Sequence, residues 1–600
     1  MTRLALALLS LLLFSVSASA QTVSVLSFDE VEGLEVRVSV PWPETVTKGY
    51  HPLQVAIDNR SDQDHEVEIV VQDYREDVLR IADAVFAPAG AVTRLTIPVP
   101  LDFPYRRQLY MELTCRGADA STDLFGGSGH DEGIHDVLVL GGQSVTAAMV
   151  EGWNQLFAPP TAGAATPGHH SRSSLRYRNL GYYQDFHWDG DASVKFAART
   201  FEQADVAWRY FTAFDLVVVD LDGGPPPETL LRALIAWARH GGEVLITGSE
   251  ATAAVRGLAP LAPYLEDRFV LDLNMAGRAY QCGFGRLFVV RSDTLFADPR
   301  LQAIVVRELR LERRTEWTPS PRGSRLAAEQ REPLLPGVGV LPYKTFIVLM
   351  ILFGVLVWPL NFYYIKRRRQ PVLMLVTVPL IAFGASACVL LYGLFGQGID
   401  TVVRSHSVAV LDQRSGALSV TEARATFSGW APGRGFVPMP ETAVLDLDSR
   451  TFEGPSTVYR IDRIDGEERY LAAYLPSRQQ VRQAILSERT SRLRLDVDGD
   501  RVTNGLDVAV DELVVRGFDG NWYSTGERLE AGASATLTRS DARPSGLTEL
   551  AFDGSDDHDL PLGTYAARLA ESAFSDWGGL DVEEDGSEHH VLGILAEVGR

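Results

Sequence analysis

Three cysteines in 600 residues are too few to staple a secreted fold, and none is spaced as CxxC. That excludes a disulfide scaffold and the familiar thiolate zinc and dithiol redox motifs. Cys388 lies inside an apolar run, which leaves Cys115 and Cys282 as the only pair that could bridge. They fall in different expected domains, so two free buried thiols are predicted. Histidine is missing from 241 to 405 and cysteine from 116 to 281. Cationic residues are in deficit as well: 56 Lys and Arg against 78 Asp and Glu leave a formal charge of −22. A nucleic-acid partner needs a basic surface to neutralise phosphates, and none is concentrated here.

Charge is absent altogether from two long runs. Residues 345–365 (TFIVLMILFGVLVWPLNFYYI) and 371–396 (PVLMLVTVPLIAFGASACVLLYGLFG) contain no charged side chain. Each is as long as the ~20 residues a helix needs to cross a bilayer core. Tyr343, Trp358, Tyr363, Tyr364 and Tyr392 lie mostly toward the ends, as interfacial aromatics do. Pro359 and Pro379 are kinks of a kind membrane helices tolerate. Between the runs stand Lys366, Arg367, Arg368 and Arg369. By the positive-inside rule these four cations determine the topology and put the loop 366–370 in the cytoplasm. A transmembrane hairpin over 343–397 then returns both flanks to the outside. The N-terminus agrees: Arg3, an apolar stretch from Leu4 to Val16 and Ala18-Ser19-Ala20 before Gln21 read as a secretory signal peptide over 1–20. An uncleaved anchor is the alternative. With no charge inside either run there is no ion path, so a transporter core is disfavoured.

Outside the hairpin the chain is too long for one core. Residues 21–125 alternate apolar and polar positions in LEVRVSV (34–40), HEVEIVVQD (65–73) and VTRLTIPVPL (92–101), which predicts an antiparallel β-sandwich of immunoglobulin-like type. Residues 133–270 change character. HDVLVLGG (135–142), FDLVVVD (214–220) and EVLITG (243–248) are continuous apolar strands. Helices are expected over 145–157 and 226–242, the second opened by proline and closed by glycines. Strand-helix-strand alternation of this kind means a parallel sheet covered on both faces. A Pro- and Gly-containing stretch, 159–174, interrupts it. Residues 271–342 form a strand-containing linker with GRLFVVRSD (285–293). The C-terminal 398–600 is β-rich again, with one helical segment expected at LGTYAARLAESAFSDW (562–577).

FDLVVVD, the helix ending ARHGG and the strand EVLITG resemble the class I glutamine amidotransferase-like fold found in a largely uncharacterised family of bacterial membrane proteins. The order of parts is similar too: signal peptide, β domain, α/β domain, the span before KRRR, a second span and a C-terminal β domain. The resemblance implies a flavodoxin-like α/β domain and a place in the bacterial inner membrane, with both large domains periplasmic. Amidotransferases of that class use a cysteine on a strand-to-helix elbow with a histidine and a glutamate. This chain departs from that pattern, with no cysteine between Cys115 and Cys282 and no histidine between His240 and His406.

Gly248-Ser249-Glu250 follows the strand comparable with the elbow, yet the nearest histidine in sequence, His240, sits at the far end of the preceding helix. Ser249 is therefore expected to line a crevice and not to act as a nucleophile. Asp220 and Asp222 follow FDLVVV at the carboxyl end of a predicted parallel strand, the edge where open α/β sheets bind ligands. Asp220, Asp222 and Ser249 are the candidate ligand-binding residues. No catalytic residue, metal site or cofactor is expected. DVDGD (496–500) has the look of a calcium loop, but Arg501 stands where the EF-hand needs glycine, so a β-hairpin is predicted. His130, Glu132, His135 and Asp136 match no zinc spacing and read as linker polarity, and His169-His170 and His589-His590 are uninformative pairs.

These readings converge on a membrane-anchored cell-envelope interaction or scaffold protein with a catalytically inactive amidotransferase-like binding module. Its partners would be the lipid bilayer and other envelope proteins. The alternative is an envelope enzyme or transport accessory using the crevice near Asp220, Asp222 and Ser249.

Overall fold

The computed structural model describes residues 22–596 except 29–30, 43–48, 74–78, 102–108, 126–133, 142–144, 146, 157–192, 205–206, 267–268, 272–276, 293–334, 336–342, 370, 397–399, 434, 447–458, 465, 472–473, 541–546 and 548–559. The expected signal peptide, the stretch 159–174, and His130, Glu132, His169 and His170 therefore lie outside the described residues.

Side chains that alternate between buried and exposed build eight strands at the N-terminal end. They are β1 (Thr22–Ser27), β2 (Leu34–Val40), β3 (Tyr50–Asn59), β4 (His65–Asp73), β5 (Leu79–Ala87), β6 (Val92–Pro100), β7 (Leu109–Cys115) and β8 (Ala118–Phe125). One antiparallel sheet runs β1-β2-β3-β6 and a second contains β5-β4-β7-β8. Val36, Leu53 and Ile57 of the first meet Val67, Ile69 and Met111 of the second in one buried core. The period of two places each strand's apolar set inward, as a two-sheet sandwich requires.

A parallel sheet follows. Its strands are β9 (Ile134–Gly141), β10 (Ser193–Thr200), β11 (Leu216–Asp220), β12 (Glu243–Gly248), β13 (Val270–Leu271), β14 (Gly277–Cys282) and β15 (Gly285–Arg291). The order is β10-β9-β11-β12-β15-β14-β13, with the first five parallel and the last two antiparallel. The sheet thus continues past residue 270 into the stretch expected as linker. Helices α1 (Ala147–Leu156) and α2 (Glu228–Arg239) fall where expected. Pro227 precedes α2 without costing it a hydrogen bond, and Gly241 (φ +102°) takes the left-handed turn after it. Leu230, Leu231, Leu234 and Ile235 bury the inner face of α2.

Among the described residues one helix, Ile347–Arg368, is long and apolar enough to cross a membrane. It comprises α3 (Tyr343–Val355), a π-helical turn at Leu356–Leu360 that absorbs Pro359, and α4 (Asn361–Arg368). Proline lacks the N–H that a regular turn would use, which is why the ladder widens there. Arg369 adopts a left-handed conformation (φ 55°) and ends the helix. A further apolar helix, α5 (Met374–Gly396), contacts α3 and α4.

The remaining strands are β16 (Thr401–Asp412), β17 (Ala417–Ser428), β18 (Thr442–Asp446), β19 (Tyr459–Ile464), β20 (Glu467–Tyr470), β21 (Gln480–Thr490), β22 (Arg494–Asp498), β23 (Arg501–Gly505), β24 (Val510–Arg516), β25 (Trp522–Ser524), β26 (Ser534–Thr536), β27 (Thr538–Ser540), β28 (Thr564–Leu569), β29 (Glu583–Glu584) and β30 (Glu588–Ile594). Most of them form one large sheet, β18-β21-β17-β16-β30-β28-β24-β25-β27, with β29 on the side of β16. DVDGD makes the predicted hairpin: β22 pairs β23, Asp498 sits opposite Arg501, and Gly499 supplies the positive φ of +60°.

The helix expected over 562–577 is a misreading. Residues 564–569 are β28, held between β24 and β30, with Tyr565, Ala566 and Ala567 buried. Pairing on both sides outweighs the helix preference of Ala, Leu and Glu in that stretch.

Two features cross the expected domain boundaries. β19 pairs in parallel with β5 and β20 pairs with β19, so two C-terminal strands complete the second N-terminal sheet. A single buried cluster also joins Trp42 and Tyr50 of the sandwich, Phe211 and Leu234 of the parallel sheet, and Ala443 and Leu486 of the large sheet. Tyr50 marks the junction: its hydroxyl lies 3.0 Å from the Val444 carbonyl and accepts from the Val444 amide at 2.9 Å.

Candidate functional site

Residues at the carboxyl ends of three adjacent parallel strands converge, as the strand order dictates. β9 ends at Gly141, β11 at Asp220 and β12 at Gly248. A Cβ on Gly141 would stand 3.3 Å from Cβ of Asp220, so glycine is what lets these strand ends approach. Asp220 is buried, and its Oδ1 accepts the Asp222 amide at 3.1 Å. Asp222 Oδ1 in turn accepts the amide and the hydroxyl of Ser249, each at 2.8 Å. The structure therefore brings all three expected residues together.

Their arrangement is one of turn and cap. Asp220 closes the turn after β11, and Asp222 fixes the residue that follows β12. A serine nucleophile needs an imidazole or comparable base, because a carboxylate is a weak base for a hydroxyl. His240 cannot serve. It lies at the amino edge of β12 and Ser249 at the carboxyl edge, about 20 Å apart at the ~3.3 Å rise of a strand.

His240 instead belongs to a second cluster, at the opposite edge of the sheet, where the parallel sheet meets β17 and β21. Its ring stacks on Trp208 with centroids 4.6 Å apart, and Nδ1 lies 3.1 Å from the Thr421 hydroxyl. Glu488 receives Arg239 through one carboxylate oxygen and Ser419 through the other, with His240 Nε2 at 3.6 Å. Arg239 also donates to the Tyr264 hydroxyl at 3.2 Å, and that hydroxyl lies 3.3 Å from Asp412 Oδ2. Arg414 joins Asp412 at 2.9 Å and Glu266 at 3.0 Å and lies over the Phe269 ring. Burial alone would lower the Arg239 pKa, but Glu488, Tyr264 and Cys282 together outweigh it and raise it. Burial pushes the neighbouring Cys282 thiol up to about 12, so it is no nucleophile. Cys115 and Cys282 are free and buried, as expected.

A third constellation lies on β16 and β30, whose parallel register sets Ser407 opposite His589. Ser407 Oγ lies 2.7 Å from His589 Nδ1, and His589 Nε2 lies 2.9 Å from Glu584 Oε2, which Ser572 also reaches at 2.7 Å on the other oxygen. The spacing is that of nucleophile, base and orienting acid. Ser407, however, is only 4% exposed, so no substrate carbonyl can reach it. The chain of bonds satisfies polar groups buried between paired strands. Among the described residues no group of three or more His, Cys, Asp or Glu side chains could hold a metal ion.

Sequence reasoning dismissed His589-His590 and missed Arg239, Glu488, Asp412 and Arg414. Nothing local marks these residues: Arg239 and Glu488 are 249 positions apart.

The buried histidines carry a pH dependence. Burial lowers His240 from 6.5, and lowers His590 from 6.5 to about 4 despite Glu588 nearby. Between those two values the unfolded chain binds more protons than the folded one at His590. Stability is thus full above 6.5 and falls as pH drops toward about 4. Thermal unfolding of the full chain should show a lower midpoint at pH 5 than at pH 7, and His590→Gln should flatten that difference. A midpoint that rises on acidification would contradict the assignment.

No protein-family model matches this chain, and no curated protein does. Among solved structures it is similar to the crystal structure of a Bacteroides uniformis β-glucuronidase. The two are 12% identical over 39% of this chain and 36% of that one, with a TM-score of 0.16. The chain thus spans about a third of that protein's length, and a likeness so slight bears on neither fold nor activity. What the molecule's own geometry defines is a multidomain, β-rich protein carrying an apolar helix able to cross a membrane.

Proposed function

We propose that this chain is a membrane-anchored interaction or scaffold protein of the bacterial cell envelope, with an amidotransferase-like α/β unit that binds without catalysing. The parallel order β10-β9-β11-β12-β15 supports the flavodoxin-like part of the reading, because numbering those strands along the chain gives 2-1-3-4-5. The shared core supports the topology. The parts before and after 343–396 pack together, so they lie on one side of any membrane and the segment between crosses an even number of times. With one helix long enough to cross among the described residues, α5 is assigned as the return. Lys366, Arg367 and Arg368 in the last turn of α4, with Arg369, then face the cytoplasm. Both β-rich parts are periplasmic on this reading.

The observation that carries the non-catalytic assignment is the Ser249 hydroxyl held by Asp222, with His240 of the preceding helix at the other edge of the sheet. The test is complementation of a deletion strain by Ser249→Ala, Asp220→Ala and Asp222→Ala chains at matched abundance, with crosslinking and pull-down of each from its own membranes. Intact function and the same crosslinked partners are expected for all three. Loss of function in Ser249→Ala with partners retained would instead assign the crevice to an envelope enzyme or transport accessory. Reporter fusions after residues 330, 368 and 450 should read outside, inside and outside.

A further inference from the structure

Trp430 is 67% exposed, an unusual position for the largest apolar side chain. It follows β17 at the end of the large sheet where the chain leaves α5. The Gly429 amide donates to the Asp400 carbonyl at 3.1 Å, and Thr401 pairs with Ser428. Asp400 is four residues beyond Gly396, the last residue of α5, a separation of at most about 14 Å for extended chain. The approach to the first helix is tied to the same place: Leu335, eight residues before Tyr343, is buried against Ala425 and Phe427 of β17. The last described residue before the first apolar helix and the first described residue after α5 thus both lie at this end of the sheet.

We infer that Trp430 inserts into the outer headgroup layer of the bilayer and seats the large sheet on the membrane. The inference rests on the membrane reading above. α5 has 23 residues, about 34 Å at 1.5 Å per residue, which slightly exceeds a hydrocarbon core and brings its end to the interface. An indole prefers that layer because its ring is apolar and its N–H finds polar partners there. Its surroundings hold it in place: the Ser428 hydroxyl donates to the Trp430 carbonyl, and Ser477 Oγ donates to the Gly429 carbonyl at 2.9 Å. Charge does not drive the contact. Among the described residues, Arg478, whose amide donates to the Ser428 carbonyl, and Arg404, 3.8 Å from Asp585, are offset by exposed Asp400, Glu583 and Asp585 at the same end. Anionic lipid is thus unnecessary, and the partner is the interfacial layer itself.

The test uses the full chain with Cys388→Ala, in vesicles of phosphatidylcholine alone and with added phosphatidylglycerol. Cys115 and Cys282 are buried, so a single introduced cysteine takes an environment-sensitive fluorophore. Three positions are compared: Trp430→Cys, Val348→Cys within the apolar helix, and Phe518→Cys. Phe518 is an exposed aromatic beyond Arg516, at the far end of the sheet. Probes at 348 and 430 should be shielded from aqueous iodide by about threefold or more relative to 518, with 430 quenched best by a spin label near the headgroup. Both vesicle types should give the same result. A shielded 348 with 430 as accessible as 518 would overturn the inference and leave the membrane reading standing. An accessible 348 would overturn both.

Discussion

Replacing Glu488 with Leu is expected to loosen the joint between the parallel sheet and the large sheet by about 3–5 kcal/mol, the cost of leaving a buried partner charge unpaired. Arg239 would lose its carboxylate while only 8% of its side chain reaches solvent. Tyr264 could still accept one of its N–H groups, but a phenol does not compensate a buried cation. Because a chain of this size need not unfold in one step, the measurement of choice is amide exchange in α2 and β21. Protection there should fall by about a hundredfold or more, at tenfold per ~1.4 kcal/mol. The double variant Arg239→Met with Glu488→Leu should recover most of it, since an apolar pair of similar volume carries no desolvation penalty. Unchanged protection in the single variant would show that the pair contributes nothing to the joint.

The second large effect is expected from Gly285→Ala. A Cβ at this position would lie 2.0 Å from the Gly242 carbonyl oxygen and 2.4 Å from that of Ala238. Both are backbone atoms at the corner where α2 turns into β12, and neither can step aside as a side chain could. The Arg286 amide also donates to the Gly242 carbonyl at 3.3 Å, so the turn before β15 and the turn after α2 are locked face to face. Relieving the clash means parting them, at a cost of about 3 kcal/mol or more. Gly152→Ala is the matched control. Nothing lies within 4 Å of its Cβ, and it sits inside α1, where alanine is favoured over glycine by about 0.5–1 kcal/mol. A melting temperature lowered for the first variant and held or raised for the second is the expected pair of results. Equal midpoints would mean that the corner can relax.

How much of this was legible beforehand follows the range of the interactions. HDVLVLGG, FDLVVVD and EVLITG announce themselves because a strand buried on both faces must be apolar throughout, and glycines close two of the three. The helix α2 is readable for the same local reason, with proline before it and two glycines after. LGTYAARLAESAFSDW misled because its composition is helical, whereas its conformation is decided by β24 and β30, whose residues lie elsewhere in the chain. Asp220, Asp222 and Ser249 lie at or just beyond strand ends, which periodicity alone can locate. Their mutual hydrogen bonds were not foreseeable, because they depend on which strands become neighbours. The cluster around Glu488 lay further out of reach: each member looks like an ordinary surface charge until two sheets close over it.

The pairing of β19 with β5 has a consequence for biosynthesis. The two strands are separated by about 370 residues, which at ~5–20 residues per second take roughly 20–70 s to synthesise. Throughout that interval the sandwich carries an open hydrogen-bonding edge along β5, the kind of edge that recruits stray strands. The sandwich can reach its finished form only after the apolar helices and the first part of the large sheet have been delivered. Its last step of assembly thus reports that synthesis has passed residue 470, and a nascent chain halted before residue 459 would leave an adhesive half-sheet for the cell's chaperones to cover.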